Sequence, residues 1–206
     1  MSLSRNSQED IGENEEERHF SASVVGIRMQ KKLAGHVPKN MFKFFLDDTS
    51  SRVLDNIYNL VKLYTVSKMS AKKLMKDILK IDVKISILHF NNVMTEEEKV
   101  LTADFRECFH NIAEVILRMR NPRRSRLSGP DASISKLIEL LTDAERIALL
   151  IIEHHLSVKS QETLQTCAKF FKNSNFFEAC FEREEFRPIM NEICVDIEEL
   201  LDRGLL

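Results

Sequence analysis

Ile81-Asp82-Val83-Lys84-Ile85-Ser86-Ile87 is the stretch on which the fold class turns, because its apolar and polar residues alternate as in a strand. The longer segment around it fits a different period. Leu74, Met75, Ile78, Ile81, Ile85 and Leu88 recur at helical spacing and share one side of a helix. A strand needs a partner, and no other segment offers one. The stretch therefore reads as helix, and the whole chain as all-α.

Working outward, Val53, Leu54, Ile57, Tyr58, Val61 and Tyr64 form one stripe of an amphipathic helix ending near Val66, and Ser70 is expected to cap the next. Thr95 with Glu98 three residues on is a capping box, followed by a long helix marked by Leu101, Phe105, Cys108, Ile112, Val115 and Met119. Asn121 to Ser133 is the substantial internal loop. Ile134 to Leu156 is helical and apolar nearly all round at Ile147 to Ile152, so it is expected to be the central helix. Ser160 opens another helix, Asn173-Ser174-Asn175 breaks it before a short Phe176 to Phe181 piece, and Pro188 suits the first turn of the last helix. Near the start, Ala22, Val25, Met29 and Leu33 share the face of a short helix that Gly35 and Pro38 stop, with Arg28, Lys31 and Lys32 beside it. A second short apolar segment runs from Met41 to Leu46.

Five Gly and four Pro in 206 residues are far fewer than the roughly 12% of ordinary chains, which favours long helices over sandwiches, barrels and disorder. Residues 1–19 carry Glu9, Asp10, Glu13, Glu15, Glu16 and Glu17 against Arg5 and Arg18 and have few apolar residues, so they read as a disordered acidic tail. Residues 20–206 read as one helical domain of about six main helices plus the short amphipathic one. With Trp absent and no dense positive field, nucleic-acid binding is not expected. No apolar run is long enough to span a membrane, and neither a secretory leader nor a prenyl anchor is expected. Cys108, Cys167, Cys180 and Cys194 have no metal or disulfide spacing and read as reduced thiols of a cytoplasmic protein.

Glu153-His154-His155 is the one candidate metal cluster, but adjacent helical residues diverge by about 100°, so a helix-end or hydrogen-bonding role is expected and no metal ligand is assigned. No phosphate loop, nucleophile elbow or dinucleotide fingerprint appears, so the chain is not expected to be an enzyme or to carry a cofactor. Arg118, Arg120, Arg123, Arg124 and Arg126 either meet phosphate groups or form a solvated loop.

Five blocks in order carry a resemblance: Leu46-Asp47-Asp48-Thr49-Ser50-Ser51-Arg52-Val53-Leu54-Asp55 with Tyr64-Thr65; Leu88-His89-Phe90-Asn91; Glu153-His154-His155-Leu156; Lys159-Ser160; and Ile193-Cys194 running to Leu200-Leu201-Asp202. From about Val24 onward the chain resembles the TIPE family, the tumour-necrosis-factor-alpha-induced-protein-eight family. That resemblance implies a helical bundle enclosing an apolar cavity. It also implies binding and transfer of phospholipids, especially phosphoinositides, in regulating apoptosis, inflammation and survival signalling. The implied ligand is a phospholipid or fatty acid, and the implied partner surface is anionic membrane at the inner face of the plasma membrane. Lys31, Lys32, Lys39 and Arg106 fall on the head-group positions. Ile78, Ile85, Ile116, Leu149, Ile152, Ile193 and Ile197 are the candidate cavity lining. Phe90 stands where relatives carry a basic residue, and the arginine-rich loop is longer than theirs. The alternative is a death-signalling adaptor that works through protein contacts without lipid.

Overall fold

The computed structural model of the chain describes residues 20–34, 47–120 and 130–206. Among these, eight α-helices follow one another: α1 (Ala22–Ala34), α2 (Asp48–Thr65), α3 (Lys68–Phe90), α4 (Glu96–Arg120), α5 (Pro130–Ile152), α6 (Val158–Phe171), α7 (Ser174–Glu182) and α8 (Arg187–Asp202), with a 3-10 turn, Glu184–Phe186, before the last. There is no strand among the described residues, and the alternating Ile81–Ile87 stretch lies inside α3. The acidic tail, Lys39, the Met41 to Leu46 segment and Arg123, Arg124 and Arg126 lie outside the described residues.

Local side chains explain most helix starts. Asp47 Oδ1 accepts from the Ser50 N–H at 2.8 Å, and Asn173 Oδ1 accepts from the Asn175 N–H at 3.0 Å. The capping box on α4 is closed in both directions, with the Thr95 N–H on Glu98 Oε2 at 2.8 Å and the Glu98 N–H on Thr95 Oγ1 at 3.2 Å. Two caps differ from expectation. Ser67, not Ser70, caps α3, and Ser157, not Ser160, precedes α6. Each pair is three residues apart, the separation between a cap and the amide it receives, so sequence alone gives either serine the same credentials. α5 begins at Pro130, four residues before the expected Ile134, because proline is at home in a first helical turn.

One buried apolar cluster draws Ala22 from α1, Tyr58 and Val61 from α2, Met75, Leu79 and Val83 from α3, Ile112 from α4, Leu137 from α5, Phe176 from α7 and Ile193 from α8. A second, smaller cluster gathers Met94, Ile147, Ile151 and Ile152. α5 packs on α4, α6 and α7, yet Leu150 is 37% exposed, so the apolar run does not make α5 the surrounded central helix. α1 turns inward a face that overlaps the expected one, with Ala22 buried and Val25 and Met29 packed against the main cluster. It lies against α2 and α3 on buried Ala22, Gly26 and Gln30, while Leu33 is left 40% exposed. Small side chains on that face let the helix axes approach. The Ala22 N–H donates to Asp55 Oδ1 at 2.7 Å, and Phe20 stacks on Tyr58 with centroids 4.5 Å apart.

Polar ties join elements distant in sequence. Arg52 Nη2 lies 2.7 Å from Asp196 Oδ1 and 3.2 Å from Glu199 Oε2, and Thr49 Oγ1 donates to Glu199 Oε1 at 2.7 Å. Arg203 closes the same end of the bundle on Asp47 Oδ2 at 2.6 Å. The Asp-Thr-Ser-Ser block is thus both the start of α2 and the clasp on α8.

Two positions depart from what their surroundings favour. Val66, between α2 and α3, adopts φ 52°, ψ 27°, a left-handed conformation that costs a β-branched residue about 1–2 kcal/mol. Val66→Asn should therefore stabilise the protein by about 1 kcal/mol and raise Tm by about 2–4 °C, measured by thermal unfolding. Asp82 lies on the inward side of α3 with no hydrogen-bond or ionic partner among the described residues, and burial pushes its carboxyl up to about 6. It keeps part of its area accessible, but the packing around it is close enough to favour the neutral acid. The folded state thus binds the proton more tightly than the unfolded chain. Its contribution is complete below the ordinary Asp range near pH 4, declines as pH rises to about 6, and stays lost above. Asp82→Asn should stabilise the protein by about 2 kcal/mol at pH 7 and by almost nothing at pH 4, read from denaturant midpoints at the two pH values.

Candidate functional site: an apolar pocket

Seven helices, α2 to α8, leave a pocket of about 320 Å³ between them. Helical spacing selects the walls: Val53, Leu54 and Ile57 on α2, Phe105, Phe109, Ile112 and Ile116 on α4, and Ile193 and Ile197 on α8. α5 contributes Leu141, Ala144, Glu145 and Ala148, and α6 contributes Leu164, Cys167, Ala168 and Phe171. Interiors normally close such space to crystal-like density. Here Ala144, Ala148 and Ala168 supply little volume to a wall that also carries Phe105 and Phe109, their ring centroids 4.9 Å apart.

Glu145 is the one charged residue of that wall among the described residues, and Lys172 at the end of α6 pairs with it. Both are mostly buried, with 14% and 26% of their side chains exposed. The rest of the wall has no charge to offer a polar ligand, so the pocket suits a hydrocarbon group.

Of the seven isoleucine and leucine candidates, Ile78, Ile116, Ile193 and Ile197 line this pocket, whereas Ile85, Leu149 and Ile152 do not. The reason is angular and axial. Ala148 faces the pocket, so Leu149 points about 100° away, and Ile152 lies one turn further along, about 5 Å on, fully buried in the second cluster with Ile85 packed against it. The expectation missed Phe105, Phe109, Ala144, Ala148 and the α7 aromatics Phe176, Phe177 and Phe181. A volume deficit of alanines opposite phenylalanines is the signal that could have found them.

The described head-group candidates lie on two helices, α1 and α4. Lys31 and Lys32 are exposed on α1, which packs on α2 and α3. Arg106 is exposed on α4 between pocket-lining Phe105 and Phe109, and its guanidinium donates to the Gly204 carbonyl. Phe90, 49% exposed, ends α3. Arg118 pairs with Glu114 one turn back.

His154 and His155 diverge as expected. His155 Nε2 lies 2.9 and 3.0 Å from the Glu98 oxygens, and its hydrogen bond, with that from the Thr95 amide, holds the Glu98 carboxyl below its ordinary range. His154 is turned to Glu153 at 3.3 Å, its side chain 77% exposed. The pair clamps the end of α5 onto the start of α4. No group of three His, Cys, Asp or Glu among the described residues could hold a metal ion. Burial pushes Cys167 and Cys194 up to about 11 and Cys180 to about 12, so at neutral pH they are thiols and weak nucleophiles. No helix among the described residues is long and apolar enough to cross a membrane.

Comparison with known proteins agrees with this architecture. The family described as "Tumor necrosis factor alpha-induced protein 8-like" matches residues 20–204. Tumor necrosis factor alpha-induced protein 8 of Mus musculus is 28% identical over 185 residues, 89% of this chain and 90% of that protein. A Drosophila pseudoobscura pseudoobscura protein named for likeness to it is 29% identical over 187 residues, 90% of this chain and 96% of its own. The Drosophila melanogaster protein named salivary glands marred is also 29% identical over 187 residues, with the same coverage. With the match running from before α1 to beyond α8, the chain belongs to the tumor necrosis factor alpha-induced protein 8 family.

Proposed function

We propose that the pocket holds an acyl chain of a membrane phospholipid and that the protein binds and transfers phosphoinositides in the cytoplasm, at the inner face of the plasma membrane. The observation that carries this reading is a wall drawn from α2 to α8 that is apolar throughout except for Glu145, itself neutralised by Lys172. At about 320 Å³ the pocket falls at the lower end of the ligand-site range of about 300–1,000 Å³, which suits one chain with its polar head left outside. Lys31, Lys32, Lys39 and Arg106 would meet that head. For Arg106 this means exchanging the Gly204 carbonyl for a phosphate, a stronger acceptor. Such a protein reads or redistributes signalling lipids. That is the chemistry by which it would regulate apoptosis, inflammation and survival signalling without acting as an enzyme.

The test joins native mass spectrometry with a filled pocket. The purified chain should retain lipid, and Ala148→Phe should lower the amount retained while unfolding free energy stays within about 1 kcal/mol of the parent, because the ring takes up existing space. In a filled core the same change costs about 1–3 kcal/mol. Absence of lipid from the parent together with that larger loss would overturn the reading and favour an adaptor working through protein contacts.

A further inference from the structure

The turn joining α2 to α3 exposes apolar side chains where nothing in the fold requires them. Val66 is 91% exposed and Met69 79%, more than any other large apolar side chain described, and Leu63 at 37% adjoins them. Five lysines flank the turn along the two helices: Lys62 on α2, and Lys68, Lys72, Lys73 and Lys76 on the first turns of α3. From residue 56 to residue 76 there is no Asp or Glu, in a chain whose net charge is −2. Lys62, Lys68, Lys73 and Lys76 are exposed, and no ion pair joins Lys62, Lys73 or Lys76 to a carboxylate among the described residues.

Local hydrogen bonds order the turn. Thr65 Oγ1 donates to the Val61 carbonyl at 2.8 Å and the Ser67 carbonyl at 3.3 Å, and Ser67 Oγ caps α3 by accepting from the Ser70 N–H at 3.1 Å. Val66 is held in its left-handed conformation between the two helices, with its side chain outward. A strained, fixed and solvent-facing hydrophobe points to use.

We infer that this turn is a membrane-docking element, in which Val66 and Met69 enter the interfacial layer of an anionic bilayer while the lysines meet its phosphate groups. Charge complementarity selects the anionic surface, and the apolar tip selects a bilayer over a nucleic acid or an acidic peptide, which would leave Val66 and Met69 in water. The turn is already ordered, so docking costs little conformational entropy. The inference shares with the proposed function only the anionic bilayer as working surface and does not depend on what fills the pocket.

The chain has no Trp, so a single introduced indole reports its own surroundings. Met69→Trp places it at the tip. Val195→Trp, at a site 64% exposed beside Asp196 and so at the Arg52 end of α2, places it about 20 Å away. On phosphatidylcholine vesicles containing phosphatidylserine, the Met69→Trp protein should show blue-shifted emission quenched by brominated acyl chains, and the Val195→Trp protein should show neither. Val66→Asn with Met69→Gln, which removes the apolar tip and relieves the backbone, should weaken pelleting of the full chain with these vesicles about tenfold. Lys73→Gln with Lys76→Gln should weaken it about tenfold at low salt and less at high salt. Pelleting with an unshifted tip indole would overturn the docking element and leave the pocket reading standing. A chain that does not pellet with anionic vesicles would overturn it as well. An indole already shielded without vesicles would show another segment seated on the tip and would likewise overturn it.

Discussion

The ion pair between Arg52 and Asp196, at 2.7 Å, ties α2 to α8 beside two walls of the pocket. Val53, Leu54 and Ile57 on α2 and Ile193 and Ile197 on α8 line the pocket, and the clasp formed by Arg52, Thr49, Asp196 and Glu199 joins these two helices next to them. Asp196 is 5% exposed, and its charge is tolerated there because the guanidinium gives it two hydrogen bonds, at 3.0 and 2.7 Å.

A similar logic runs through the other long-range ties. Glu98 with His155 fixes the end of α5 on α4, Lys172 with Glu145 fixes the end of α6 on α5, and Lys84 Nζ donates to Ser160 Oγ at 2.6 Å to hold α3 on α6. Burial holds the Lys84 ammonium below its ordinary range. Each tie sits near a helix end, where side chains can reach across without displacing core packing. The helices are therefore positioned at their ends by directional bonds and along their lengths by non-directional burial.

The sequence was legible wherever period and chemistry point one way. Helix order, the capping box at Thr95 and Glu98, the stop at Asn173 and the proline start of α8 are local events, decided within a few residues. It was illegible where the pattern has no direction. A run apolar on every side, as at Ile147 to Ile152, states burial but not which neighbour each residue meets, so it does not show that the pocket wall belongs to Ala144 and Ala148 and not to Leu149 and Ile152. The family resemblance puts Arg106 at a head-group position, yet its partner, Gly204, lies 98 residues away and leaves no trace near Arg106. Pocket space is made of missing atoms, and a sequence lists only those present.

The exposure of Met69 has a chemical consequence beyond its apolar character. Burial holds three of the four cysteines as enclosed, protonated thiols, and the half-buried Cys108 is also pushed up, chiefly by burial. Oxidation of a thiol proceeds through its thiolate, so these sulfurs react slowly. A thioether needs no deprotonation, only access. Met75, Met94 and Met190 are buried, while Met69 is 79% exposed. Among the described residues, oxidants therefore meet sulfur first at the α2–α3 turn, where the sulfoxide would turn an apolar tip into a polar one.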